Sequence, residues 1–411
     1  MLYHVDGERL WARLMAMARI GPVAGDGNCR LTLSDEDEAG RALLASWCTA
    51  RGFALRRDAI GNLFFRREGR DPAAPPVLVG SHLDTQPTGG RFDGILGVLA
   101  GLEVLETLCD LGLETERPLD LCVWTNEEGS RFQPAMMGSG VACGILPFEQ
   151  ALAACDADGV RVADELSRHG YDTEPAPDIG PADCYIELHI EQGPILEASG
   201  KTIGVVTGGQ GIRWYEIVLT GEETHAGPVP MRLRKDPVPV LARLIDLVQE
   251  IGNRDPEARC TIGTVRALPG SINVVPGRVE MTVDLRHPDE AELDVMHDAL
   301  IQGCGALAKR FPDIALEVSP RWHSPVVRFD ATLAGQVKSC CERLGLATRD
   351  MVSGAGHDAF HLARRVPTVM IFVPCRDGIS HNPREYASPE DATAGADVLL
   401  AMVLERAGAC G

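Results

Sequence analysis

Apolar and polar positions alternate with two different periods along this chain, and the places where the period changes mark its elements. Residues 76–82 (Pro-Val-Leu-Val-Gly-Ser-His) and 119–125 (Leu-Asp-Leu-Cys-Val-Trp-Thr) are short, nearly continuous apolar runs of the kind that fill a sheet interior. From Ile95 to Leu108 the apolar residues Ile95, Leu96, Leu99, Leu102, Val104, Leu105 and Leu108 return at helical spacing, with Glu103 and Glu106 off the stripe. A helix is predicted there, starting at Asp93-Gly94. Residues 184–190 alternate at period two, so Glu187, His189 and Glu191 share one face and Ile186, Leu188 and Ile190 the other. His189 is expected on a polar side.

Between about Gly211 and Trp322 the order becomes strand (212–220), helix (236–251), strand (260–267), strand (278–286), helix (289–310), strand (314–320). That is the order of a ferredoxin-like split βαβ. Material of the first kind resumes afterwards, with a helix at 330–344, the apolar strand 366–373 and a last helix from Pro389 to about Ala407. The pattern predicts an α/β fold: a discontinuous domain of residues 1–210 and 324–411, interrupted by a ferredoxin-like α+β domain of residues 211–323.

Composition narrows the partners. A length of 411 residues suits two domains, and 45% hydrophobic with 24% charged residues describes an ordinary globular chain. Net charge is 39 − 59 = −20 with no basic block, so nucleic acid and anionic membrane are not expected as partners. No apolar run approaches the roughly 20 residues of a membrane span, and the N-terminus lacks a basic-then-apolar signal pattern. A cytoplasmic location is expected. The 13 cysteines are odd in number and form no C-x-x-C pair, and Cys122, Cys143 and Cys184 lie in apolar stretches, which reads as reduced core thiols.

The candidate chemistry stands at the ends of the predicted strands. His82 and Asp84 close one strand, Asp93 precedes a helix, Glu127 and Glu128 follow another strand, and His189 and His381 sit in polar strings at two more. In an α/β sheet such ends share one edge, so residues far apart in sequence can converge. Carboxylate and neutral imidazole are ligands for Zn²⁺-like cations. Asp93 could bridge two metals. Asp84 suits a supporting role, its carboxylate accepting the second N–H of the His82 ring. Of two adjacent acids only one can face a metal squarely, which leaves Glu128 as ligand and Glu127 as general base for hydrolysis of an amide-like bond. Serine-hydrolase and dinucleotide chemistry lack their motifs: no G-x-S-x-G follows a strand, and Gly208-Gly-Gln-Gly211 has no third glycine or following helix.

With these residues laid out, the chain resembles the M20-type metal-dependent amidohydrolases, and within them the hydantoinase/carbamoylase branch. The resemblance runs through Gly80-Ser-His-Leu-Asp-Thr, Gly89-Gly-Arg-Phe-Asp-Gly, Asn126-Glu-Glu-Gly-Ser-Arg-Phe132, Glu187-Leu-His-Ile-Glu-Gln-Gly-Pro194, His225-Ala-Gly, Arg232-Leu-Arg-Lys-Asp236, Asn273-Val-Val-Pro-Gly277, Asp284-Leu-Arg-His-Pro288, Gly354-Ala-Gly-His-Asp358 and Ser380-His-Asn-Pro383. It implies a metallopeptidase-like catalytic domain with an inserted lid and dimerisation domain. It implies two divalent cations per subunit, one on His82, Asp93 and His189 and one on Asp93, Glu128 and His381, with Glu127 as base. Zn²⁺ comes first, with Mn²⁺, Co²⁺ or Ni²⁺ compatible.

The branch hydrolyses N-carbamoyl groups, so the resemblance implies a small carboxylate-bearing carbamoyl substrate: an α- or β-N-carbamoyl amino acid, releasing the amino acid, CO₂ and ammonia. Allantoate or ureidoglycolate is the alternative. Arg286 is the expected carboxylate partner because its fork matches a carboxylate in bidentate fashion, with Asn273 assisting. By analogy His225 of the second subunit of a homodimer contacts the substrate, and Gln192 and the backbone at Gly356 line the pocket. An aminoacylase or dipeptidase is disfavoured because peptidase members carry a carboxylate at the position of His189. A silent ligand-binding homologue is disfavoured because every ligand and the base are intact. One departure is Pro228-Val229-Pro230 after His225-Ala-Gly227, where the branch commonly has a hydroxyl. Ile212 and Trp214 look more carbamoylase-like than allantoate-like.

Overall fold

The computed structural model describes residues 2–171 and 173–410. The chain divides into two compact units, Met1–Thr207 with Arg328–Gly411, and Gly208–Val327. The first is built on a mixed sheet whose strands run in the order Ala54–Arg57, Leu63–Arg67, Leu119–Trp124, Val77–His82, Cys184–Ile190, Thr368–Val373 and Ile203–Gly209. The middle strands, from Leu119–Trp124 through Thr368–Val373, pair in parallel, and the flanking ones pair antiparallel. All four parallel strands are buried along their whole length. Crossover helices cover both faces of such a sheet, which is why these strands read as apolar runs.

Helix Ile95–Asp110 is one of those covers. It is buried from Ile95 through Leu108, and Leu99, Leu102 and Leu105 are fully inaccessible. Each such leucine contributes about 2 kcal/mol by leaving water. Gly94 starts the helix at φ +72, and a Cβ there would stand 2.4 Å from the His82 ring, so only glycine lets the turn close over that imidazole.

The alternation in 184–190 puts His189 on a polar side, as expected, and that side is enclosed. The side holding Glu187 and His189 is no solvent face: both residues are fully buried, because helices cover the sheet on both sides. Their polar groups are satisfied internally instead. Glu187 accepts from the Ser81 hydroxyl at 2.7 Å and from the Ala359 N–H at 3.2 Å, with the Tyr185 hydroxyl 3.0 Å away.

In the second unit the order is strand Gly211–Thr220, helix Val238–Gly252, strands Arg259–Leu268 and Arg278–His287, helix Glu290–Arg310 and strand Ala315–Ser324. The strands form an antiparallel sheet in which Arg278–His287 and Gly211–Thr220 are central and the other two lie outside them. Along Arg278–His287 burial alternates residue by residue, the signature of a sheet covered on one face. Val279, Met281, Val283 and Leu285 point into a core shared with Leu244 on one helix and Leu293 and Leu300 on the other. Asp289 caps the longer helix by accepting from the N–H groups of Ala291 and Glu292, and Lys309 and Arg310 close its last turn, where cations favour the dipole. Away from that core Trp214 and Trp322 are 43% and 42% exposed, with ring centroids 4.8 Å apart.

Candidate metal centre

The ends of the parallel strands in the first unit converge. His82 is the last residue of its strand, His189 the next to last of the neighbouring one, Glu127 and Glu128 follow Leu119–Trp124, and Asp93 stands just before helix Ile95–Asp110. Among the described residues, two groups of close donor atoms share Asp93: His82, Asp93 and His189, and Asp93, Glu128 and His381. Asp93 divides its oxygens between them. Its Oδ1 lies 3.6 Å from His82 Nε2 and 3.2 Å from His189 Nε2, and its Oδ2 lies 3.4 Å from His381 Nε2, which is 3.3 Å from Glu128 Oε2.

Backbone carbonyls set the imidazoles. His82 Nδ1 is 2.9 Å from the carbonyl of Asp84, and His189 Nδ1 is 2.9 Å from the carbonyl of Ile190. In the neutral ring this geometry assigns the hydrogen to Nδ1 and leaves the Nε2 lone pair aimed at Asp93. The support from Asp84 thus differs from the expected one: its carboxylate is 3.7 Å from the ring, and its carbonyl makes the bond. That carboxylate accepts instead from the Thr32 hydroxyl at 2.9 Å and from the N–H groups of Glu127 and Glu128 at 3.3 Å each. The reason is reach, since the carbonyl comes within 2.9 Å of the ring nitrogen while the carboxylate is turned to the other donors. One aspartate thereby fixes His82 with its backbone and the two acids with its side chain.

The electrostatics suit a cation. Burial, only partly offset by the charge His82 can carry, pushes the Glu127 carboxyl well above the ordinary range, with Asp358, Glu128 and Asp93 adding repulsion. Burial and the charge of Asp93 raise Glu128 to about 7. Burial would also raise Asp93, but its contacts with His189, His381 and His82 outweigh that and hold it well below the carboxylate range. Hydrogen bonding to Asp93, working against burial, lifts His381 to about 9. Gathered carboxylates that repel one another, and a buried His82 Nε2 that makes no hydrogen bond, describe donors arranged for a divalent ion. Asn126, Gln192 and His381 adopt positive φ of 56°, 58° and 52°, backbone strain of the kind that gathers at functional sites.

A cavity of about 160 Å³ opens onto the donors, lined by Glu127, Glu128, Gln192, Gly356 and His381 together with Met136. Gln192 donates its amide to Asp93 Oδ2 at 2.7 Å, and Gln86 donates to Glu128 at 2.7 Å. The remaining expected residues belong to the second unit. There His225 pairs with Val274 between the short segments Thr224–His225 and Val274–Val275, and just beyond them the Ala226 N–H donates to the Asn273 carbonyl at 3.0 Å. His225 is exposed, and its Nδ1 accepts from the Gly227 N–H at 3.0 Å, which leaves the hydrogen of the neutral ring on Nε2. Arg286 is held by Asp284, with Nη2 2.8 Å and Nε 3.1 Å from its carboxylate. Sequence reasoning passed over Gln86, His357 and Glu385. His357 packs edge-on against His189 with centroids 4.6 Å apart. The one available signal was that His357 stands in the string Gly354-Ala-Gly-His-Asp358 and Glu385 two residues after Ser380-His-Asn-Pro383.

The class of protein that this fold and this donor set define is a metal-using hydrolase. The chain belongs to peptidase family M20/M25/M40, whose model matches residues 78–405. It is 46% identical over 98% of its length to an N-carbamoyl-L-amino-acid amidohydrolase of Rhizobium meliloti, covering 97% of that protein. It is 35% identical to the allantoate amidohydrolase of Escherichia coli, over 95% of this chain and 96% of the other. A solved hydantoinase/carbamoylase family amidase from Burkholderia ambifaria superposes with a TM-score of 0.95 at 48% identity, covering all of both chains.

Proposed function

We propose that the chain is an amidohydrolase cleaving the carbamoyl C–N bond of N-carbamoyl amino acids, L-α substrates first, to the free amino acid, CO₂ and ammonia. The observation that carries this reading is Asp93 shared between two donor groups with an unshared acid, Glu127, beside them, its Oε2 3.4 Å from His82 Nε2. The likeness to a carbamoyl-amino-acid hydrolase over nearly the whole chain supports the substrate class. His82, Asp93 and His189 would hold one divalent cation and Asp93, Glu128 and His381 a second, with Zn²⁺, Mn²⁺, Co²⁺ or Ni²⁺ all suited to such donors. Bound there, a cation supplies Lewis acidity, polarising a carbonyl and acidifying water.

Glu127 takes the proton from the attacking water and returns it to the departing nitrogen. Burial, by raising its affinity for that proton, brings a carboxylate closer to working as a base near neutral pH. Arg286 receives the substrate carboxylate with its planar fork, Asp284 holding the guanidinium ready, and Asn273 assists. His225 of the partner subunit offers its Nε2–H to the oxygen that gains charge during attack. The inserted unit acts as lid and as dimer surface. Its exposed Trp214 and Trp322, and the largely exposed outer strand Arg259–Leu268, suit a self-association face. No helix among the described residues is long and apolar enough to cross a membrane. Free, mostly buried cysteines accord with a cytoplasmic setting.

The test is ammonia release by the metal-loaded protein from N-carbamoyl-L-α-amino acids, N-carbamoyl-β-alanine, allantoate and ureidoglycolate side by side. Preferred turnover of a carbamoyl amino acid supports the reading. Turnover of allantoate or ureidoglycolate alone transfers the same machinery to the second substrate class, and no turnover of any of them sinks it.

A further inference from the structure

Behind Asp93 lies a carboxylate that neither the sequence reading nor the proposed chemistry uses. Glu385 is 4% exposed. Its Oε1 accepts two backbone N–H groups, those of Phe92 and Asp93, at 3.0 Å each. Its Oε2 is 2.9 Å from the Ser380 hydroxyl, and that same hydroxyl is 3.0 Å from Asp93 Oδ2. Every one of these bonds reaches a segment that carries a donor: Phe92 and Asp93 on one side, and Ser380, next to His381, on the other.

The surroundings are shaped for this carboxylate. A Cβ on Gly90 would fall 2.1 Å from Glu385 Oε1, so only glycine admits the side chain beneath the turn. The segment from His381 to Glu385 folds back on itself, with the Glu385 N–H donating to the Asn382 carbonyl and the Arg384 N–H to the Asn382 side chain, each at 3.0 Å. His381 itself sits at φ +52, a conformation that persists where the surroundings over-determine it. Its side chain is 50% exposed, so packing alone does not hold it.

We propose that Glu385, acting through Ser380, is a positioning residue: it locks the Asp93 turn to the His381 turn so that Asp93 Oδ2, Glu128 and His381 form a binding site for a divalent cation. A carboxylate used only to fill the interior would have no reason to accept the N–H of Asp93 and the hydroxyl beside His381 together. The inference rests on the proposed reading that each subunit takes up two cations, and it adds the group that sets the second of them.

The experiment is equilibrium dialysis of the metal-free full-length protein against Zn²⁺, with metal content and thermal unfolding both measured. The unaltered protein is expected to take up two equivalents; fewer than two overturns the two-cation reading, and this inference with it, before any variant is made. Glu385→Ala is expected to bind the first equivalent normally and the second about tenfold or more weakly, the size seen when groups that orient ligands are removed. Glu385→Gln keeps an oxygen for the two N–H groups and a polar group for Ser380, and is expected to restore the second equivalent. A folded Glu385→Ala protein with both affinities unchanged overturns the proposal. Should Glu385→Ala not fold, Ser380→Ala removes only the shared hydroxyl, and normal binding of both equivalents by that variant overturns it equally.

Discussion

The two donor groups that share Asp93 use the same chemistry in opposite surroundings. His82 and His189 are on buried strand ends, their rings pinned by the carbonyls of Asp84 and Ile190. His381 is on a half-exposed turn at positive φ, and Glu128 is steadied by Gln86 and by the Asp84 carboxylate through its N–H. The first half inherits its geometry from the sheet. The second must be assembled from loops, and each loop needs its own fastening. Strand ends supply precision as part of folding, whereas ligands on turns depend on hydrogen bonds that fasten those turns.

Glu127→Gln would sharpen this comparison most, since it should leave both halves able to bind metal while turnover falls by about 10²–10⁴-fold. Metal analysis together with steady-state rates checks it, and near-normal rates would remove Glu127 from the chemistry. Asp84→Asn separates the halves, because the side chain holds the N–H groups of Glu127 and Glu128 while the carbonyl that sets His82 is untouched. A loss of about 10- to 100-fold in metal affinity is expected on the Glu128 side, with the His82 side less affected. Equal loss on both sides would break the division.

Stability should separate the halves as well. In metal-free protein His189→Ala opens a hole in the interior and leaves the Ile190 carbonyl without its ring partner, at a cost on the order of 2 kcal/mol. His381→Ala, at a half-exposed site, opens no interior hole and loses only a solvent-screened contact with Asp93 and Glu128, so it should cost about 1 kcal/mol or less while still costing metal. Denaturant unfolding of the two metal-free variants compares them, and similar losses would contradict the contrast.

A further effect concerns a histidine outside the centre, and it shows only in the pH profile. His361 has the Ser139 hydroxyl 3.1 Å from its Nδ1, and burial lowers its pKa from 6.5 to about 4. As pH falls from 6.5 toward 4 the unfolded chain takes up a proton here and the folded chain does not, so stability falls, by at most about 3 kcal/mol. His361→Gln should flatten that part of the stability profile in metal-free protein. Buried imidazoles beside Asp93 shift the other way, because carboxylate charge there outweighs burial.

The elements themselves were legible. The apolar runs at 76–82 and 119–125, the helical stripe from Ile95, and the strand and helix order of residues 211–322 each correspond to an observed element within a few residues. They were legible because each expresses a local period, and a buried parallel strand leaves a continuous apolar mark. The alternation at 184–190 correctly put His189 on a polar side, but period two reports which side is polar and not what covers it. The polar side of that strand faces the interior network of Ser81, Tyr185 and Ala359.

The sequence by itself determined which donors this protein possesses and which strands carry them, because residue type and local periodicity are written in neighbouring positions. It also carried the likeness that implies their use. Only the tertiary structure decided that one oxygen of Asp93 faces His82 and His189 and the other His381. It likewise decided that Asp84 orients a ring with its carbonyl and two acids with its side chain, and that Glu385 reaches back across 292 residues to the N–H of Asp93. The physical reason is that a hydrogen bond depends on angle and on a few tenths of an ångström, and between segments so far apart in the chain those quantities exist only after the sheet has brought their ends together.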